Sequence, residues 1–190
     1  GPFNIGFEFP FYDNFYSNPL EVRNFALTQM SIHEEIGGKG YPGKRTKIFY
    51  TPELEEKFCY IFSPYFSNIQ PQPGSCNGSF QITNINDTSW VHQDTRADSG
   101  NRPDKQYAAV LFLNPNPPKD TGTMFYKEIK IKDSITNEKI TQKVETDYVE
   151  NQFNRLVIFD SDILHSSKKY FGTNDFDSRL TQVFFFHCFY

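Results

Sequence analysis

The sequence has few of the residues that mark several common classes of protein. Its three cysteines, Cys59, Cys76 and Cys188, are odd in number and widely spaced, so they predict reduced thiols rather than a disulfide framework. No apolar run approaches the length of a transmembrane helix, and nothing near the start is typical of a signal peptide. We therefore expect a cytoplasmic protein without a membrane partner.

An excess of basic residues is also missing. The formal net charge is −4 at pH 7, which argues against nucleic acid as the main partner, because a phosphate backbone is bound by a basic surface. Aromatic residues are abundant, with 21 Phe and 11 Tyr, and both favour the half-buried surfaces of β-sheets. The length of 190 residues predicts a single domain, residues 1–190, with its own core. Gly1-Pro2 is typical of a cleaved tag and is left out of the fold prediction.

Two helices are predicted in the first half of the chain. Asn18-Pro19 is typical of a helix start, and the apolar residues that follow predict its buried face: Leu20, Phe25 and Leu27. Thr51-Pro52 predicts a second start, followed by apolar residues at the spacing of an amphipathic helix: Leu54, Phe58, Ile61 and Phe62.

From residue 78 onward, short runs rich in β-branched and aromatic residues predict strands. These runs are 78–85, 106–114, 122–128, 155–162 and 179–189. The charged segment 129–149 predicts a hairpin or an insertion. We therefore expect residues 3–77 to form a helical layer that supports an antiparallel sandwich or barrel made by residues 78–190.

The segment WVHQDTR places His92 and Asp94 two residues apart. Side chains at positions i and i+2 of an extended segment point to the same side, so both can bind one metal ion. Two imidazoles and one carboxylate hold Fe(II) on one face and leave coordination positions for substrates. The pair alone is a weak signal, because so short a motif also arises by chance.

The third ligand is expected among the other three histidines. His165 closes the run that begins at residue 155, so we expect it at a strand end, as we do for His92. His33 lies in or just after the first predicted helix, and His187 lies in an aromatic run, so structural roles are favoured for both. His165 is therefore the predicted third ligand.

Arg179 follows His165 and begins the last strand run. A guanidinium near a metal ion presents a rigid, two-pronged donor to a carboxylate. Thr181 lies two residues further, on the same face of the strand, and can donate its hydroxyl to the same carboxylate. Alternatively, Arg179 pairs with Asp175 or Asp177 at the surface, where ion pairs contribute little.

The order His92-x-Asp94, His165, Arg179-x-Thr181 resembles that of the 2-oxoglutarate- and Fe(II)-dependent oxygenases, and in particular their prolyl-hydroxylase-like branch. QYAAVLFLNPNP followed by TGTMFYKE is similar to that branch's strand ending in Leu-Asn and to its next strand after a glycine-rich turn. RLVIFDSDILHS is similar to its stretch before the distal histidine. The resemblance covers roughly residues 78–189, and the first 77 residues match only as generic helical support.

The resemblance implies a double-stranded β-helix (jelly roll, cupin-like) with a catalytic Fe(II) at one end, bound by His92, Asp94 and His165. It implies that 2-oxoglutarate chelates this iron while its distal carboxylate meets Arg179, with Thr181 beside it. Oxidation of 2-oxoglutarate by O2 to succinate and CO2 would be coupled to hydroxylation of a C–H bond.

Two details of the resemblance concern single residues. A tyrosine commonly binds the co-substrate in this branch, and Tyr107 and Tyr126 are both candidates. Related halogenating enzymes have a small residue in place of the carboxylate ligand, so Asp94 favours hydroxylation.

Three functions stay open on the sequence alone. The first is hydroxylation of an amino-acid side chain, prolyl residues included, in a peptide or a free acid. The second is oxidation of a nucleobase or a small metabolite by the same chemistry. The third is a binding module that kept the fold without turnover, against which the intact set of ligands argues.

Two loops have open roles as well. Segment 37–45 is either a lid over the site or a surface turn. Segment 95–106 contains Arg96 and Arg102, which are either substrate contacts or solvated charges.

Overall fold

A computed structural model describes residues 10–31, 41–72, 76–94 and 105–190. The elements in chain order are β1 (Phe11–Tyr12), α1 (Pro19–Ser31), β2 (Lys44–Arg45), α2 (Pro52–Phe62), β3 (Asn68–Pro71), β4 (Phe80–Thr83), β5 (Lys105–Phe112), β6 (Thr123–Lys132), β7 (Lys139–Val149), β8 (Leu156–Asp160), β9 (Leu164–Ser167) and β10 (Arg179–Phe189). No helix among these residues is long and apolar enough to cross a membrane.

The strands form two antiparallel sheets. The major sheet has the order β1-β8-β5-β10-β4-β2, with β3 also paired to β10, and the minor sheet has the order β7-β6-β9. The expected fold class, mainly β with N-terminal helices and a jelly-roll core, is confirmed. The segment 129–149 forms most of the β6–β7 hairpin, in which Ile131 pairs with Ile140.

Both faces of the major sheet are covered. On β5, Ala109 and Leu111 belong to a core shared with the two helices, whereas Ala108 and Phe112 belong to a second core that faces the minor sheet. Successive side chains of a strand point to opposite faces, so a strand buried on both sides needs apolar residues at nearly every position. Burial on both faces therefore explains the apolar runs of β5, β8 and β10. The helices therefore lie on one face of the major sheet, and the other face is available for a site.

The second helix begins as predicted. Thr51 is its N-cap, and the Thr51 side chain accepts a hydrogen bond of 3.2 Å from the backbone N–H of Leu54. Leu54, Phe58 and Phe62 are buried on the helix side of the major sheet. This helix face supports the sheet from behind.

The first helix begins after Asn18, but of the three residues predicted for its buried face only Leu27 packs against the core. Leu20 and Phe25 are 57% and 43% exposed, while Ala26 and Met30 are buried. Residues 26 and 30 are one turn apart, so they form a stripe on one side of the helix. This stripe packs in the core shared with the major sheet, and hydrophobicity alone does not mark it because Ala26 is small.

The N-terminal segment contributes strands as well as helices. β1 pairs with β8, β2 pairs with β4, and β3 pairs with β10. Several sequence predictions fall on residues outside the described ranges: Gly1-Pro2, His33, Arg96, Arg102 and parts of segments 37–45 and 95–106.

Candidate functional site

The structure brings His92, Asp94 and His165 together. One ligand atom from each residue lies within 4.8 Å of the other two. Asp94 Oδ1 is 3.4 Å from Nε2 of His92, and Asp94 Oδ2 is 3.4 Å from Nε2 of His165. The carboxylate therefore lies between the two imidazoles, in the arrangement of a three-residue metal site.

Backbone hydrogen bonds fix the separation of these ligands. His92 and His165 form an antiparallel bridge, with N···O distances of 3.0 and 2.8 Å. The backbone N–H of Asp94 donates to the carbonyl of Ser161, at 2.9 Å. His165 is the second residue of β9 in the minor sheet, so the expectation that it ends the preceding strand run is wrong. The turn at residues 161–162 starts a new strand, which brings His165 beside His92.

The ring orientation of both histidines suits metal binding. Nδ1 of His92 is 3.1 Å from the carbonyl oxygen of Trp90, and Nδ1 of His165 is 2.9 Å from that of Ile163. A carbonyl oxygen only accepts hydrogen bonds, so each Nδ1 donates its proton. In the neutral tautomer each Nε2 then has a lone pair directed to the site. Two such nitrogens and a carboxylate fit Fe(II).

The two imidazoles differ in proton affinity. Burial lowers the pKa of His165, since the cation is poorly solvated there, and this favours the neutral form that binds metal. Burial also acts to lower the pKa of His92, but hydrogen bonds to Asp94 and to the Trp90 carbonyl outweigh it and leave that pKa above its ordinary value. The Asp94 carboxylate therefore stabilises either a metal ion bound at the site or a proton on the His92 imidazole.

A cavity of about 310 Å³ connects the metal ligands to the last strand. Alternate residues of β10 line its floor: Arg179, Thr181, Val183 and Phe185. Its other walls come from both sheets and include Ala108, Val110, Thr123 and Phe159. The candidate ligands and the candidate carboxylate-binding residues therefore line one cavity.

Arg179 is a buried cation within this cavity, only 5% exposed. Its Nε donates to the carbonyl of Thr121 at 3.0 Å, and with the described residues it makes no ion pair. Burial lowers the pKa of its guanidinium to about 10. A buried charge without a counter-ion is unfavourable, so an anionic ligand is expected to bind here.

The surface alternative for Arg179 is wrong. Asp175 instead pairs with Lys44 at 2.8 Å. The carboxylate of Asp177 accepts hydrogen bonds of 2.8 and 2.9 Å from the backbone N–H groups of residues 173 and 174. Thr181 is buried and lines the cavity two residues from Arg179.

The two tyrosines selected from the sequence lie elsewhere. Tyr107 belongs to the helix-side core, with its ring 5.7 Å from those of Phe62 and Phe66, because its position on β5 faces away from the cavity. Tyr126 contacts Ser166 through its hydroxyl at 3.1 Å and does not line the cavity. Neither tyrosine is therefore among the residues that line the cavity.

A further tyrosine, Tyr170, lies at the site without any sequence signal that predicts it. Its ring lies 5.9 Å from the Arg179 guanidinium, and it lines the cavity. It stands in an irregular segment between β9 and β10, where neither periodicity nor a motif marks a functional position. Only its place in the fold distinguishes it from the other ten tyrosines.

No protein-family model and no curated protein matches this sequence. Solved structures do match. A prolyl hydroxylase from Trichoplax adhaerens, in complex with a peptide fragment of the hypoxia-inducible factor oxygen degradation domain, has 15% identity and a TM-score of 0.58, and the match covers 98% of this chain and 85% of that one.

Two bacterial structures are also similar. A prolyl-4-hydroxylase from Pseudomonas putida has 13% identity and a TM-score of 0.50, with 96% of this chain and 93% of that chain covered. HygX from Streptomyces hygroscopicus, with nickel and 2-oxoglutarate bound, has 10% identity and a TM-score of 0.55, with 94% and 82% covered. At these identities the likeness shows the fold alone, and this chain has the fold of the two prolyl hydroxylases and of HygX.

Proposed function

We propose that this protein is an Fe(II)- and 2-oxoglutarate-dependent dioxygenase that hydroxylates a C–H bond of an amino-acid side chain. One observation carries the proposal: a group of two histidines and one aspartate shares a cavity with a buried arginine that has no carboxylate partner among the described residues. A metal site alone suits many functions, but the added cation suits a ligand that chelates the metal and carries a second, distal carboxylate.

His92, Asp94 and His165 would hold the metal through Nε2, a carboxylate oxygen and Nε2. Bound Fe(II) supplies the centre at which dioxygen is activated. The carbonyls of Trp90 and Ile163 keep the imidazoles in the tautomer that binds metal. These contacts orient the ligands before the metal arrives.

Arg179 and Thr181 would bind the distal carboxylate of 2-oxoglutarate. The guanidinium offers donors that a carboxylate accepts in pairs, and the Thr181 hydroxyl adds one more donor. Ala108, Val110 and Phe159 add apolar surface to the cavity wall, and a lower local dielectric there would strengthen this ion pair. The ring of Tyr170 lies 5.9 Å from the same guanidinium and would border the bound carboxylate.

The reaction would convert 2-oxoglutarate, O2 and R–H into succinate, CO2 and R–OH. The choice of an amino-acid substrate rests on analogy with two prolyl hydroxylases of the same fold, one of them in complex with a peptide. We also propose that the protein is located in a reducing compartment such as the cytoplasm, because Cys59, Cys76 and Cys188 are all free thiols.

The proposed function is tested by measuring metal and co-substrate binding and then turnover. Isothermal titration with Ni(II), and then with 2-oxoglutarate, should show metal binding and metal-dependent co-substrate binding, and the Fe(II) protein under air should release succinate. Asp94→Ala should abolish all three results, while His187→Ala should keep them because His187 lies outside the group. A protein that binds neither Ni(II) nor 2-oxoglutarate would contradict the proposal.

A further inference from the structure

A second guanidinium lines the same cavity. Arg45 on β2 pairs with Gln81 on β4, and Gln81 in turn pairs with Thr181 on β10. Residues paired across neighbouring strands point to the same face, and all three line the cavity. Adjacent strands are about 4.8 Å apart, so Arg45 lies roughly 10 Å from the Thr181 position.

The Arg45 side chain is held in place. Its Nε donates to Gln81 Oε1 at 3.1 Å, its Nη1 donates to Cys76 Sγ at 2.8 Å, and its guanidinium lies 4.3 Å from the ring centre of Tyr41. Gln81 is itself fixed, because its Nε2 donates to the Pro42 carbonyl at 2.9 Å. A guanidinium held by two hydrogen bonds and a ring contact is oriented before any ligand binds.

Gly43 makes this placement possible. Its φ is +71°, and a Cβ at this position would lie 1.9 Å from the carbonyl oxygen of Ile82. Only glycine tolerates both the left-handed backbone and the close approach. The chain can therefore press against β4 at this point and set Arg45 over the cavity two residues later.

Arg45 has more hydrogen-bond donors than its contacts within the protein use. A guanidinium has five N–H groups, and the hydrogen bonds to Gln81 and Cys76 use two of them. Within the described part of the chain Arg45 makes no ion pair. It lines the same cavity as His92 and Asp94.

The co-substrate does not need this second cation. Under the proposed function, 2-oxoglutarate has one carboxylate at the metal and the other at Arg179. We propose that Arg45 binds a carboxylate of the primary substrate, so that this protein acts on a carboxylic acid rather than on the corresponding neutral amide. Tyr41 and Trp90, which line the cavity near Arg45 and His92, would contact the apolar part of that substrate.

The inference rests on the proposed function, and one titration series tests the two separately. The protein is loaded with Ni(II) and saturated with 2-oxoglutarate, which occupies Arg179. N-acetyl amino acids and their amides, as matched pairs for all side chains, are then titrated and followed by ligand-observed NMR. Two arms distinguish the source of the carboxylate: N-acetyl amino acids present it at the C-terminus, and N-acetyl-aspartyl and N-acetyl-glutamyl amides present it on the side chain.

We expect at least one acid to bind at least about 10-fold more tightly than its amide, the preference that one charge-assisted contact gives. Arg45→Gln should reduce this ratio to near one, and Arg45→Lys, which keeps the charge without the fork, should retain part of it. Lys47→Gln removes the same charge from an exposed side chain outside the cavity and should leave the ratio unchanged.

Equal binding of acids and amides in every pair would overturn the inference, and so would an unchanged preference in Arg45→Gln. In either case 2-oxoglutarate binding to the Ni(II) protein, measured first, still supports the proposed function. Failure of 2-oxoglutarate to bind would contradict the proposed function instead. Circular dichroism of each variant excludes loss of fold as the cause.

Discussion

Asn114 holds the backbone on both sides of Arg179. Its Nδ2 donates to the carbonyl of Ser178 and its Oδ1 accepts from the N–H of Leu180, both at 2.8 Å. The amide is buried just beyond the end of β5. Arg179 lies between the two contacted residues, so this one side chain sets the direction in which the guanidinium enters the cavity.

Asn114→Ala should therefore weaken co-substrate binding without affecting the metal. We expect the apparent KM for 2-oxoglutarate to rise about 10-fold, equivalent to about 1.4 kcal/mol, and stability to fall by about 1–3 kcal/mol because two buried backbone groups lose their partner. Succinate formation and Ni(II) titration measure the two effects. Asn116→Ala, at an exposed position two residues away, is the control. Equal losses of metal and co-substrate affinity would argue against this positioning role.

Replacing a metal ligand should remove the metal without unfolding the chain. His92 and His165 are joined through their backbones, so His92→Ala and His165→Ala leave the bridge in place. We expect a loss of Ni(II) affinity larger than the roughly 10- to 100-fold typical of residues around the ligands, with a nearly unchanged far-ultraviolet spectrum. A variant that still binds Ni(II) as tightly as the wild type would exclude that histidine as a ligand.

Arg179→Met should separate stability from co-substrate binding. The depressed pKa of Arg179, about 10, means that the buried charge costs stability at every pH below that value and that the cost is relieved only as the pH rises through it. We therefore expect the variant to melt no lower than the wild type without ligand at pH 7.5. The Ni(II)-loaded wild type should gain about 2.7 kcal/mol from 2-oxoglutarate at 100 times its Kd. A similar gain in the variant would contradict the assignment of Arg179.

A pair of tyrosine variants tests which face of the sheet binds the co-substrate. We expect the Tyr170 hydroxyl, at the cavity wall, to donate to the distal carboxylate of 2-oxoglutarate. Tyr170→Phe should therefore raise the apparent KM for 2-oxoglutarate several-fold, in line with a lost hydrogen bond of about 1 kcal/mol. Tyr107→Phe removes a hydroxyl from the helix-side core and should leave that KM unchanged. A raised KM in Tyr107→Phe together with an unchanged KM in Tyr170→Phe would instead indicate that Tyr107 binds the co-substrate.

The sequence carries good information where burial creates a pattern. The last strand begins at Arg179 and ends at Phe189, as predicted, because its aromatic run has no breaker. α2 begins at Pro52 after the cap at Thr51, since capping chemistry is local. The three candidate ligands were found from order and residue type, and the structure places them within one group.

The sequence carries little information where the outcome depends on pairing. The sequence does not show that Tyr107 faces the helix side, because a strand that is apolar on both faces has no alternation and its inward positions depend on register. The two-residue strands β1 and β2 are too short for any periodic signal. The position of Arg45 has no sequence signal for the same reason, since its place at the cavity follows from its register with Gln81.

Because side chains alternate along β10, the positions that pack in the core are different from the positions that line the cavity. Leu180, Phe184 and Phe186 pack against the helix-side core, while Val183 and Phe185 line the cavity. A combinatorial library restricted to the first three positions would search for thermal tolerance and leave the cavity walls intact. A library restricted to the other two would change which molecules fit and leave the helix contacts intact. One strand thus offers separate sets of positions for stability and for selectivity.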